Sequence, residues 1–134
     1  MTARAVVGLG ARPGTAAPAL AAAIRAALGE AGLATDCVGV LATLDRRAAE
    51  AGMRAVAAGH GWELASFTAA ELAAQAVPSP SETAAAAVGT PSVAEASALA
   101  AAGPGATLVL PKRIVAGVTV AVARADEGFP LRHR

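Results

Sequence analysis

Two segments of the chain place polar and charged residues where a small α/β domain has its open edge. Residues 88–95 read VGTPSVAE and predict the start of a helix, which presents unpaired N–H groups and the positive end of the helix dipole to an anion. Residues 109–112 read VLPK, and we expect Lys112 to place its ammonium group at the end of a strand. These are features of a site, although they do not identify its ligand. The residues that predict the helix start are Thr90, Pro91, Ser92 and Glu95.

Three more segments lie between a predicted strand and a predicted helix. They are residues 10–15 (GARPGT), 41–47 (LATLDRR) and 66–68 (SFT). In an open α/β sheet, ligands bind beyond the carboxyl ends of the parallel strands, where such segments meet. Two of the three carry arginine, and each leads into a helix N-terminus. An anionic ligand is therefore the ligand class that these loops favour.

The elements that position these loops alternate between strand and helix through the first two-thirds of the chain. Such alternation predicts parallel strands joined by right-handed crossovers, followed by a C-terminal pair of strands that forms a hairpin. We predict a three-layer α/β sandwich with a mixed, mostly parallel sheet of about five strands and a C-terminal β-hairpin. Residues 1–125 form one domain in this prediction, and residues 126–134 form a loose tail. The predicted strands are 5–9, 38–44, 63–67, 107–110 and 117–124, and the main helices are 15–31, 46–58 and 91–102. We expect Gly32 and Gly59–Gly61 to end the first two helices, a capping box of Thr68 and Glu71 to open a brief helix, and the valines at 118, 120 and 122 to share one face of the last strand.

Several of the polar residues also have a purely structural explanation, and the choice stays open at this point. Thr15 and Asp45 are placed to cap helices, and Glu82 and Glu95 occupy capping-box positions. Glu50 is placed to pair with the arginines one helical turn before it. Ser81 and Ser92 have no neighbouring histidine to activate them, and no catalytic triad or pair of carboxylates stands out.

Composition excludes several classes of function. The 134 residues carry a net charge of +1, with no tyrosine, two phenylalanines and one tryptophan, which argues against a general nucleic-acid surface. A single cysteine excludes a disulfide framework within one chain, and with only two histidines we predict no metal and no cofactor. Glycines at 8, 10 and 14 miss the spacing of the dinucleotide fingerprint. The N-terminal apolar run is too short for a signal peptide or membrane span, so we expect a soluble cytoplasmic protein.

The order of the motifs resembles a known family. The chain is similar to the CobE family, which also forms the C-terminal domain of CbiG, in cobalamin biosynthesis. The resemblance covers residues 4–125, and its most specific segment is Gly-Thr-Pro-Ser-Val-Ala-Glu. The segments that carry it are residues 8–15 (GLGARPGT), 41–45 (LATLD), 78–82 (PSPSE), 88–96 (VGTPSVAEA), 109–112 (VLPK) and 118–124 (VTVAVAR).

The resemblance implies a role in assembling the corrin ring. Two-domain CbiG proteins open a ring-A lactone on a cobalt-containing precorrin and release a two-carbon fragment, whereas the CobE type belongs with the aerobic, late-cobalt pathway. Because the resemblance is to the C-terminal part of CbiG, hydrolase activity does not follow if the hydrolytic groups lie in the N-terminal part. The family often has lysine two residues after the aspartate, and Arg47 stands there in this chain. The charge is kept, but a lysine-specific reaction would be lost.

Precorrins and hydrogenobyrinic acid carry acetate and propionate carboxylates around an apolar macrocycle. Their natural host has an apolar floor with arginine, lysine and helix N-termini at its rim. We expect Asp45, Glu82 and Glu95 to orient this rim or to cap helices. The predicted rim residues are Arg12, Thr15, Thr43, Arg46, Arg47, Gly89, Thr90, Ser92 and Lys112.

Three functions remain open from the sequence. The first is a protein that binds a precorrin or hydrogenobyrinic-acid-type tetrapyrrole and passes it between pathway enzymes. The second is an enzyme that hydrolyses a lactone or acyl group of a precorrin-5-type intermediate, with Asp45 or Glu95 as general base. The third is a scaffold or regulatory subunit that docks onto another cobalamin pathway enzyme. No nucleic acid or membrane partner is predicted.

Overall fold

A computed structural model describes the chain over residues 5–75 and 92–125. The predicted helix start at residues 79–82, the rim residues Gly89 and Thr90, and the predicted tail at 126–134 lie outside the described residues.

Within the described residues the sheet has five strands, as predicted, in the order β3-β2-β1-β5-β4. The pairs β1–β2 and β2–β3 are parallel, whereas β5 pairs antiparallel with both β1 and β4. The predicted C-terminal hairpin is therefore confirmed, and parallel pairing is confined to the first three strands. The strands are β1 (Ala5–Gly10), β2 (Val38–Leu44), β3 (Glu63–Phe67), β4 (Thr107–Val115) and β5 (Val118–Arg124).

Helices cover both faces of the sheet, and they are α1 (Ala17–Ala31), α2 (Asp45–Ala48), α3 (Ala51–His60), α4 (Ala69–Ala73) and α5 (Val93–Ala102), with a short 3-10 turn at Thr35–Cys37. One face packs against α1 and α3, and the other packs against α5. Because both faces are covered, β1 is a continuous apolar run with Val6, Val7 and Leu9 all fully buried.

The composition of α5 explains how closely it lies on the sheet. Most of its side chains are alanine, and nearly all of them are buried. An added Cβ at Gly8 of β1 would lie 2.0 Å from the carbonyl oxygen of Ala94 and 2.9 Å from the hydroxyl of Ser97. Small residues on both elements therefore permit a helix-to-strand approach that larger side chains would prevent.

Two predicted helix caps are wrong. Helix α1 begins at Ala17 after an N-cap residue, Ala16, whose side chain makes no capping bond, and the hydroxyl of Thr15 instead donates to the carbonyl of Arg12 at 2.8 Å. Asp45 is the first residue of α2 rather than a cap. Helix α1 begins two residues after Thr15, and α2 begins at Asp45 itself, so neither side chain stands at the N-cap position.

The predicted helix over 46–58 is two helices, α2 and α3, which are separated at residues 49–50. Glu50 takes the N-cap position of α3 with extended backbone angles, φ −79° and ψ 146°, but its side chain makes no capping bond. Other predicted boundaries are confirmed: Gly32 and Gly61 end their helices in the left-handed conformation, and Thr68 and Glu71 form the predicted capping box.

Strand β4 is longer than predicted. It continues through Pro111 and Lys112 to Val115, and only Ala116 and Gly117, both with positive φ, connect it to β5. The expectation that Lys112 ends a strand is therefore wrong. Between Leu110 and Arg113 the register shifts, so that Pro111 and Lys112 stand opposite a single residue of β5. This arrangement is a β-bulge, which tolerates a proline that a regular ladder would exclude.

Candidate functional site

The carboxyl ends of the parallel strands and the N-terminus of α5 lie at the same edge of the sheet. Parallel register brings the ends of β1, β2 and β3 together. A Cβ at Gly10, the last residue of β1, would lie 3.7 Å from the Cβ of Val93 and 3.9 Å from the backbone nitrogen of Ala94. The first N–H groups of α5 therefore lie beside the loop that follows β1. This is the edge at which an open α/β sheet binds ligands.

The loop after β1 is fixed to the start of α3 by Glu50. The backbone N–H of Gly14 donates to Oε1 of Glu50 at 3.0 Å, and the guanidinium of Arg47 donates to Oε2. The guanidinium of Arg47 thus forms an ion pair within the protein. The sequence-based interpretation that Glu50 pairs with a preceding arginine is confirmed for Arg47.

An open depression of about 630 Å³ lies between the N-terminal ends of α1 and α3. Its described lining residues are mainly alanine and glycine, and Glu50 is the charged one among them. The carboxylate of Glu50 is paired with Arg47 and accepts the N–H of Gly14, and the described lining includes no arginine or lysine. The described lining residues of the depression are Gly14, Thr15, Ala16, Ala17, Glu50, Ala51, Gly52 and Ala55.

Three of the predicted rim cations remain available. Within residues 5–75 and 92–125, the side chains of Arg12, Arg46 and Lys112 have no ion-pair partner. Arg12 and Arg46 are exposed and follow β1 and β2 directly, whereas Lys112 is partly buried on β4. Neighbouring strands lie about 4.8 Å apart, so β2 and β4, which are three strand spacings apart, are separated by roughly 14 Å. The three cations are thus spread across the sheet instead of forming one tight cluster.

Thr43 has a structural partner. Its side chain is fully buried, and its hydroxyl donates to the carbonyl of Leu9 at 2.8 Å. This bond joins β2 to β1 just before both strands end. The hydroxyl that was predicted to face a ligand is used to hold the edge of the sheet together.

Replacing Thr43 by valine is expected to lower the free energy of unfolding by about 1 kcal/mol, because the bond is lost while the volume is kept. Urea denaturation followed by the fluorescence of Trp62, the sole tryptophan, measures this change. A valine variant as stable as the parent would mean that the hydroxyl contributes nothing to the fold.

Ser92 and Glu95 form only half of the predicted capping box. The backbone N–H of Glu95 donates to the hydroxyl of Ser92 at 3.3 Å, as a cap requires. The carboxylate of Glu95 does not turn back to Ser92. Its Oε2 accepts the backbone N–H of Lys112 at 2.9 Å, and the side chain is fully buried. The prediction that the box accounts for Glu95 is therefore wrong, because a residue 17 positions away in sequence takes the carboxylate.

The two candidate general bases differ in their exposure to solvent. Asp45 is exposed in the first turn of α2, where the helix dipole favours its negative charge. Glu95 is enclosed by the protein. Within the described part of the chain, no three His, Cys, Asp or Glu side chains are grouped so that they could hold a metal ion. No helix in that part is long and apolar enough to cross a membrane.

The remaining polar candidates have local roles. His60 is the exposed last residue of α3, and its ring stacks on Trp62 with a centroid distance of 4.2 Å. Cys37 is a half-buried free thiol in the 3-10 turn before β2. Ser97, which sequence reasoning missed, is fully buried, and its hydroxyl reaches the carbonyl of Ala42 at 3.2 Å. A lone serine in an alanine-rich helix is the signal that could have found it.

Comparison with known proteins gives a consistent result. Residues 5–123 match the family model described as the cobalamin synthesis G C-terminus. No curated protein matches the chain. The crystal structure of CobE, a protein from the cobalamin (vitamin B12) biosynthetic pathway, is 33% identical with a TM-score of 0.80, and the alignment covers 92% of each chain.

Two further solved structures are similar. The cobalamin biosynthesis protein chiG from Agrobacterium tumefaciens is 40% identical over 92% of this chain and 99% of that one, with a TM-score of 0.70. A putative cobalamin biosynthesis protein G homolog from Sulfolobus solfataricus is 21% identical, with a TM-score of 0.73, and the alignment covers 94% of this chain and 38% of that one. The last of these similarities concerns the fold alone.

Proposed function

The chain belongs to the family of the cobalamin synthesis G C-terminus, and on that premise we propose that it binds a polycarboxylate precorrin or corrinoid intermediate of cobalamin biosynthesis. The proposed site is the edge of the sheet formed by the ends of β1 and β2, the bulge of β4 and the start of α5. We also propose that the intermediate belongs to the aerobic pathway, because the similarity to CobE extends over nearly the whole chain. The proposed compartment is the cytoplasm, where a free thiol such as Cys37 stays reduced.

The observation that carries the proposal is the arrangement of Arg12, Arg46 and Lys112. Each lacks an ion-pair partner within residues 5–75 and 92–125. Side chains that leave the sheet on strands roughly 14 Å apart are matched better by several carboxylates than by one. A macrocycle with carboxylates around its periphery can contact all three. Arginine and lysine both form charge-assisted hydrogen bonds with carboxylates, and arginine can form two at once.

The burial of Glu95 removes one of the two candidate general bases. A general base must come within hydrogen-bonding reach of the proton that it removes. Glu95 is fully buried and its carboxylate already accepts the N–H of Lys112, so a ligand at the surface does not reach it, and a hydrolase would have to use the exposed Asp45. A binding protein releases the intermediate with its mass unchanged, whereas hydrolysis would change that mass.

The proposal is tested by titrating the purified protein with hydrogenobyrinic acid while recording the visible spectrum and the mass of the recovered ligand. We expect a saturable spectral shift and an unchanged mass. The variant Arg12→Ala/Lys112→Ala should bind at least about tenfold more weakly, because a hydrogen bond to a charged group contributes about 1.5–3 kcal/mol. Its affinity should also depend less on salt, because fewer charged contacts remain to be screened.

The matched control is Arg25→Ala/Arg124→Ala, which removes the same net charge. Arg25 lies in the middle of α1, and Arg124 pairs with Ala5 at the opposite end of β1. This variant should bind as tightly as the parent. Equal losses in both variants would indicate a general charge effect, and no spectral response to hydrogenobyrinic acid would overturn the proposed function. A changed ligand mass would favour hydrolysis instead.

A further inference from the structure

We propose that Glu95 is a positioning residue: it holds the bulge of β4 against the start of α5 and thereby fixes the place from which Lys112 reaches the ligand. The inference rests on the proposed function, since it concerns the same edge of the sheet. It assigns to Glu95 neither a capping role nor contact with the ligand.

The backbone of the bulge in β4 needs hydrogen-bond partners outside the regular ladder. Pro111 has no N–H, and Lys112 follows it in the two-residue segment that stands opposite one residue of β5. Residues in a bulge are displaced from the regular ladder, so their backbone groups need other partners. Oε2 of Glu95 supplies that partner for the N–H of Lys112 at 2.9 Å.

Glu95 is a rigid anchor for this backbone. Glu95 lies in the first turn of α5, where the helix dipole stabilises a negative side chain. Its side chain is fully buried and is therefore confined by packing. Its other oxygen, Oε1, is buried and has no hydrogen-bond partner among the described residues. The protein thus buries a carboxylate at a cost and gains, in the described part of the chain, a single bond to the backbone of β4.

The bond to Glu95 determines where Lys112 lies. A lysine side chain is long and flexible, so the position of its ammonium depends on the position of its backbone. Strand β4 is an outermost strand of the sheet, and β5 is its only neighbouring strand among the described residues. The guanidinium of Arg113 also donates to the carbonyls of Pro111 and Lys112, but these bonds stay within β4, whereas the bond from Glu95 ties the bulge to α5. The anchor places Lys112 at a fixed distance from α5, whose N-terminus belongs to the same proposed site.

Two variants of similar size separate the acceptor from the packing. Glu95→Gln keeps an oxygen that can accept the N–H of Lys112, whereas Glu95→Met fills the same space without a good acceptor. Amide hydrogen exchange at Lys112 should be as slow in Glu95→Gln as in the parent and at least about tenfold faster in Glu95→Met. This readout needs no ligand. Equal exchange in all three proteins would overturn the anchoring role.

Affinity for hydrogenobyrinic acid tests the connection to Lys112. We expect Glu95→Gln to bind like the parent and Glu95→Met to lose about as much affinity as Lys112→Ala. The double variant Glu95→Met/Lys112→Ala should bind no more weakly than Lys112→Ala alone, because both changes remove the same contact. Independent, multiplying losses would overturn the inference, as would full affinity in Glu95→Met.

Ser97→Ala is the matched control for general destabilisation, since it also removes a buried hydrogen bond from α5 to a backbone group. It should lower stability and leave the affinity unchanged. Absence of binding by the parent protein would sink the proposed function, and the exchange experiment would still decide whether Glu95 anchors the bulge. Binding by the parent together with unchanged binding by Glu95→Met would sink this inference alone.

Discussion

Replacing Gly8 by alanine is expected to lower the free energy of unfolding by about 3 kcal/mol or more, the upper range for overpacking a filled core. The added Cβ would lie 2.0 Å from the carbonyl oxygen of Ala94 and 2.9 Å from the backbone nitrogen of Ala98. These are backbone atoms of α5, so no side-chain rotation relieves the clash. The helix would have to move away from β1 and expose the alanines that it buries.

The matched control for this change is Gly10→Ala in the same strand. A Cβ at Gly10 would have its nearest neighbours at 3.7 Å, which is ordinary van der Waals contact. Its effect on stability should stay within about 1 kcal/mol. Urea denaturation of both variants measures the difference, and similar stabilities for Gly8→Ala and Gly10→Ala would show that α5 is held less closely against β1 than the structure indicates.

Replacing Gly52 by alanine is expected to lower the free energy of unfolding by about 1–3 kcal/mol. The new Cβ would lie 2.5 Å from the carbonyl oxygen of Thr15 and 3.3 Å from the backbone nitrogen of Ala17. Alanine favours a helix over glycine by about 1 kcal/mol, but the clash with the start of α1 outweighs this gain. As α3 shifts, the bond between the N–H of Gly14 and Glu50 should weaken, which faster amide exchange at Gly14 would reveal.

Gly59→Ala is the control within the same helix. A Cβ added at Gly59 would meet no atom within 4 Å, and the φ of Gly59 is not positive, so only the gain in helix propensity remains. This variant should be more stable than the parent by up to about 1 kcal/mol. If Gly52→Ala also gained stability, the contact between α3 and the loop after β1 would be looser than these distances imply.

The proposed site and the two glycine contacts share one physical feature, which is close backbone packing around the loops of one edge. Gly52 sets the distance between α3 and the loop that carries Arg12, and Gly8 sets the distance between β1 and the helix that carries Glu95. Changes at these glycines should therefore disturb the edge without removing any group that contacts the ligand. Affinity measured on Gly59→Ala, near the C-terminal end of α3, provides the reference.

Sequence reasoning predicted the strands well where local pattern decides them. The apolar run of β1 and the alternation in β5, with Val118, Val120 and Val122 on one face, reflect burial that any packing of this sheet would require. The ends of α1 and α3 were predicted from Gly32 and Gly61, because a left-handed residue is needed where the chain leaves a helix. The family resemblance, which the family model confirms, came from the order of short motifs.

What the residues alone determined about this protein is its α/β character, its strands and the charges available at one edge, because periodicity and local backbone preferences are properties of neighbouring residues. The tertiary structure decided which of those polar groups remain free. Thr43 bonds to Leu9, Arg47 pairs with Glu50, and Glu95 of α5 accepts the backbone N–H of Lys112 on β4, whereas Arg12 and Arg46 keep no ion-pair partner within the described residues. A polar side chain bonds to whichever group the fold brings within about 3 Å, and distance along the chain does not reveal that neighbour.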